Sequence, residues 1–235
     1  MNPVLNKKTF SNFGYVQETM TISGVINKSF LLWLILAVGA YLGWTNAVLI
    51  IKIFWAVLIA AFALCIIISF KPQTSPFLSP IYAFGEGLLL GSLTLFFEKD
   101  YPGIAVNAVF LTVAVLFCML AAFKSGKIRA TEKFKSIVLI STFAIFLVYL
   151  LDIILSLCHI PGVTFIHSSG PIGILVSVFI VIIASLNLIL DFDMIQKGVE
   201  YGSPKYMEWY GSFALMVTII WLYLEILRLL TKIRN

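Results

Sequence analysis

Charge is what this chain has least of. Only 11% of its 235 residues are Asp, Glu, Lys or Arg, against about 25% in ordinary soluble domains. Histidine is nearly absent, with two residues, and cysteine is scarce, with three. Cys65, Cys118 and Cys158 each lie inside or at the end of an apolar run and form no CxxC or Cys/His cluster, so neither a disulfide framework nor a zinc site is indicated. His159 and His167 fall in one uncharged connection, eight residues apart. HExxH and GxSxG are missing, and no nucleophile has a base beside it; the chain reads as a non-enzyme without a resident cofactor. Alternation of polar and apolar residues, the mark of membrane β-strands, is absent as well. A net charge of +5 without a groove-sized basic patch speaks against nucleic acid as a partner.

What is present is hydrocarbon. The chain is 61% hydrophobic with a mean hydropathy of +1.04, more than one soluble core of this size absorbs. Its apolar runs are continuous and about 20 residues long, the span of a transmembrane helix. An all-α membrane protein follows, with the lipid bilayer as its solvent. Seven spans are predicted, at about 29–46, 50–70, 79–97, 103–123, 136–158, 171–196 and 209–231, after a mostly polar segment 1–28. That segment lacks the early apolar region of a cleavable signal, so the first helix is expected to act as an uncleaved insertion signal. With the N terminus inside, 11 of the 16 Lys and Arg residues lie on the cytoplasmic side. The basic C-terminal tail runs against that bias, and a re-entrant span would bring both termini inside.

Ionisable groups within the bilayer cost about 3 kcal/mol or more and are functional candidates by default. Glu86 lies in Gly85-Glu86-Gly87-Leu88-Leu89-Leu90-Gly91, whose glycines four apart permit close helix approach. Asp152 lies near the end of its span and reads as interfacial. Asp191 and Asp193, two residues apart, point to nearly opposite faces of a helix; Asp193 shares a face with Lys197 and can form an i,i+4 pair. Glu225 is deep in the last span, with Arg228 at i+3.

Three stretches near the C terminus resemble the Bax inhibitor family, and its bacterial branch in particular. They are Leu190-Asp191-Phe192-Asp193-Met194-Ile195-Gln196, Pro204-Lys205-Tyr206-Met207-Glu208-Trp209-Tyr210 and Trp221-Leu222-Tyr223-Leu224-Glu225. Asn2-Pro3-Val4-Leu5, Met20-Thr21-Ile22-Ser23-Gly24-Val25-Ile26 and Tyr82-Ala83-Phe84-Gly85-Glu86-Gly87 extend the resemblance over nearly the whole chain. The family implies a seven-helix bundle with the last helix central, wrapped by the other six. It also implies a pH-sensitive calcium leak in a bacterial inner membrane, gated by a carboxylate pair. By pattern that pair falls on Asp193 and Glu225, where calcium would bind transiently, with Glu86, Asp191, Arg228 and Lys71 as supporting polar groups. This chain departs from the pattern in carrying glutamate at 225, lysine at 71 in place of a guanidinium, and the added cation Arg228.

Two carboxylates sharing a low-dielectric site titrate as a coupled pair. Protonated, they hold the last two helices together; deprotonated, they repel and offer oxygen ligands to calcium. A geometric tension stands against this: Glu225 is 17 residues beyond Trp209, about 25 Å along a helix, whereas Asp193 is one turn before Lys197. The pair meets only if the sixth helix extends past Lys197 or the seventh starts late. The competing reading is a non-conducting regulator that binds other membrane proteins, such as a membrane protease.

Overall fold

The computed structural model describes residues 18–158, 162–163 and 168–235. His159 and His167 lie outside the described residues. The described chain forms seven long helices: α1 (Ile22–Thr45), α2 (Ala47–Phe70), α3 (Ser75–Asp100), α4 (Ile104–Lys124), α5 (Glu132–Leu157), α6 (Pro171–Glu200) and α7 (Met207–Arg234), with a 3-10 turn at Pro72–Thr74. All seven are long and apolar enough to cross a membrane. This is the all-helical, seven-span architecture expected from the sequence.

Helix ends differ from the apolar spans for local reasons. α1 starts at Ile22 because Thr21, in extended conformation, caps it by accepting from the Gly24 amide. Thr131 does the same for α5 at Phe134. α3 begins at Ser75 rather than at 79, since Pro76 sits in the first turn, where no amide donor is needed. Gly103, at φ 81°, makes the left-handed turn into α4, and both Glu98 carboxylate oxygens accept amides there, from Gly103 at 2.6 Å and Ala105 at 2.9 Å.

α7 is the centre, packed against α1, α3, α4 and α6. Met216, Leu222 and Leu227 on it are fully buried. Of the remaining helices, α2 leans mainly on α3 and α5 on α6, and both also reach α7 through side chains. The tightest pair is α1 with α3. A Cβ on Gly43 would lie 2.2 Å from the Leu88 carbonyl oxygen, and one on Gly91 would lie 1.9 Å from that of Ala40. Gly39 and Gly87 meet the partner backbone in the same way, so two small-xxx-small patterns interlock.

We call the end where α1, α3, α5 and α7 begin the near end, and the opposite one the far end. At the near end the residues before α1 are strapped to the α6–α7 connection. Thr19 bridges Pro204, and the Met20 amide donates to the Ser203 carbonyl at 2.7 Å.

Candidate functional site

The ionisable groups of the bundle fall into separate clusters, and α6 and α7 carry nine of the twenty Asp, Glu, Lys and Arg residues in the seven helices. α6 passes Asp191 and Asp193 to different neighbours, as a spacing of two residues on a helix requires. Asp191 faces α7, with the Thr218 side chain beside it. Its second oxygen, Oδ2, is sealed from solvent and has no hydrogen-bond partner among the described residues. Asn187, one turn away on α6, instead donates to Thr142 of α5 at 2.8 Å.

Asp193 faces α5. Its Oδ2 accepts from Lys197 at 2.7 Å, the i,i+4 pair, and from Lys135 of α5 at 2.9 Å. It also lines a polar cleft of about 480 Å³ at the near end, together with Lys124, Arg129, Gln196 and Glu200.

Glu225 is only 2% exposed. It accepts a hydrogen bond from the Tyr149 hydroxyl of α5 at 2.9 Å and pairs with Arg228 at 3.3 Å, the i,i+3 relation. Arg228 also donates to the Tyr149 oxygen, and its guanidinium lies 4.9 Å from the centre of that ring.

Asp193 and Glu225 are therefore held by different partners, and no hydrogen bond or ion pair joins them among the described residues. The α6–α7 register explains why. α6 ends at Glu200, less than a turn beyond Lys197, and α7 starts early, at Met207. The Asp191–Thr218 contact fixes the level at which the antiparallel helices face each other. Glu225 lies seven residues past Thr218 and Asp193 two residues the other way, so the acids are separated by about 13 Å along the axis. The acid of α6 that does face α7 is Asp191.

The remaining candidates stand apart. Glu86 lies beside Tyr82, one turn earlier on α3. Lys71 is the exposed C-cap of α2 and makes no ion pair among the described residues. Asp152 accepts from the Val163 amide at 2.8 Å, consistent with a place at the helix end.

One cluster was not singled out from the sequence. Glu208, at the start of α7, is 1% exposed. It accepts the Thr21 amide at 3.0 Å and the Thr21 hydroxyl at 2.9 Å, and it pairs with Lys28 of α1. Gly24 makes room for it, since a Cβ there would fall 2.1 Å from the carboxylate. The available signal was that Thr21, Gly24 and Glu208 lie in the two stretches that carry the resemblance at opposite ends of the chain.

Comparison with known proteins adds one match. The family model described as Bax inhibitor 1 like covers residues 2–235. The chain belongs to that family. No curated protein and no solved structure matches it. Membership places this Bax inhibitor-like protein among integral membrane proteins, in keeping with its seven apolar helices. Among the described residues, no group of three or more His, Cys, Asp or Glu side chains is gathered to hold a metal ion.

Proposed function

We propose that this Bax inhibitor-like protein provides a pH-sensitive leak for calcium or another cation through a bacterial inner membrane, with the near end in the cytoplasm. The observation that carries the reading is Asp191: a carboxylate inside the bundle, against the central helix, with one oxygen unpartnered. A buried acceptor without a partner costs about 1–3 kcal/mol, and such groups in membrane proteins mark ion and proton pathways. Two further orphaned oxygens, of Ser29 on α1 and Ser79 on α3, lie in the same near half of the bundle. Glu225 continues the α6–α7 seam toward the far end. Carboxylate oxygens suit a hard cation such as calcium, and protonation removes the charge that draws it in. Flux is thus expected to rise with pH.

Calcium flux into proteoliposomes loaded with a fluorescent indicator tests this. The unsubstituted protein should give flux that grows as pH is raised, and Asp191→Asn should flatten that dependence. Glu225→Gln should lower the flux at every pH. Asp193→Asn should leave the pH profile in place, because its carboxylate is clasped between two lysines. Flux no greater than in empty liposomes overturns the reading. It would favour a non-conducting regulator of other membrane proteins, a role in which the ion-paired Asp193 and Glu225 serve as braces.

A further inference from the structure

α1 and α4 stand on either side of α3 and α7 without packing on each other. Between them runs a cleft of about 690 Å³, walled by Ala37, Trp44, Val106 and Phe110 and floored by Ile220 and Tyr223 of α7. Its size is that of a small-molecule site.

Its chemistry is narrow. The lining is almost wholly apolar, and the hydroxyls at its floor and on α4 are already engaged: Thr94 and Tyr223 hydrogen-bond each other at 2.9 Å, and Thr112 donates to the Ala108 carbonyl at 2.7 Å. Beyond these, the only polar side-chain groups among the lining residues are the Tyr41 hydroxyl and the indole N–H groups of Trp33 and Trp44, too few to build a site for a sugar or an ion. The walls lie within membrane-spanning helices, where hydrocarbon is the surrounding solvent. Trp44 and Tyr41 stand at the far-end mouth, the kind of side chain that settles at the membrane interface.

We infer that this cleft is a binding site for one acyl chain of a bilayer phospholipid, seated against Tyr223 of the central helix. A chain there fills space that none of the described helices fills. It also presses on the Thr94–Tyr223 link between α3 and α7, two residues from Glu225. Lipid composition thereby gains a physical route to the acids of α7.

The full-length protein, reconstituted with a phosphatidylglycerol bearing a photoreactive diazirine near the end of one acyl chain, tests the inference. After illumination, peptide mapping should find adducts on Ile220 and Tyr223, in addition to those on outward-facing residues such as Trp55 and Phe62. Ala37→Trp fills the cleft and should cut the α7 adducts several-fold while leaving the α2 adducts unchanged. Val109→Trp, placed on an exposed rim position, serves the same purpose if the first variant folds poorly. Adducts confined to the outward-facing residues overturn the inference. So do chain-to-chain cross-links through the cleft in place of lipid adducts, which would make it a contact between two copies.

Discussion

Lys28 and Glu208 close the near end of the bundle across 180 residues of sequence. The pair joins the second turn of α1 to the first turn of α7, and the Thr21 amide and hydroxyl complete the coordination of the carboxylate. An acid this buried is tolerated because each of its oxygens has a donor. Removing one member of a buried pair leaves the other charge uncompensated, which costs about 3 kcal/mol or more. Lys28→Met should therefore lower the unfolding free energy in detergent by about 3 kcal/mol. Adding Glu208→Gln to it should restore part of the loss. A double-mutant cycle from denaturant titrations measures that coupling.

The α1–α3 contact makes a sharper prediction, because its glycines differ in what surrounds them. At Gly91 a methyl group would sit 1.9 Å from a backbone carbonyl oxygen, which only a displacement of the whole helix relieves. Gly91→Ala should destabilise by about 1–3 kcal/mol through overpacking. At Gly85, on the same helix, the nearest atom to an added Cβ is 3.9 Å away. Gly85→Ala should be neutral or slightly stabilising, since alanine is the better helix former. Thermal unfolding of the two variants side by side separates close packing from a general demand for flexibility in α3.

What the sequence disclosed follows a physical divide. The spans were legible because twenty consecutive apolar residues have one stable solution in lipid. The pairs Asp193–Lys197 and Glu225–Arg228 were legible because helical spacing alone sets them. Contacts between distant helices were not. Lys28 with Glu208, and Tyr149 with Glu225 across 76 residues, depend on helix register and loop length, which hydropathy does not encode. The Asp193–Glu225 pair implied by the resemblance depends on that same register, and among the described residues the two acids take other partners. The angular argument that Asp191 and Asp193 face different neighbours held, and it led to Asp191 as the acid against α7.

α5 is the most loosely attached helix, packed mainly on α6. Its near end is tied down by Lys135, which reaches Asp193. Asp193 is 18% and Lys135 24% exposed, so the bridge is partly screened and contributes on the order of 1 kcal/mol. Asp193→Asn should speed amide hydrogen exchange in the first turns of α5, over residues 132–142, and leave α7 unchanged. High salt should produce a similar local loosening in the unsubstituted protein. Equal acceleration throughout the bundle would mean that Asp193 supports the whole fold instead of one helix.

The far end of α5 is held differently, by the Tyr149 hydroxyl, which donates to Glu225 and accepts from Arg228. Here the buried partner is the acid, and the arginine side chain is 39% exposed. Arg228→Met strips Glu225 of its cation while Tyr149 remains. A loss of about 2 kcal/mol is expected, less than for a wholly enclosed pair. Glu225→Gln combined with Arg228→Met removes both charges and should be more stable than Arg228→Met alone. Tyr149→Phe removes a hydrogen bond to a charged group, at about 2 kcal/mol, and should free the far half of α5 in hydrogen exchange. If Arg228→Met proves as stable as the unsubstituted protein, the carboxylate does not depend on its neighbour. The Tyr149 hydroxyl alone would then suffice to hold Glu225 in place.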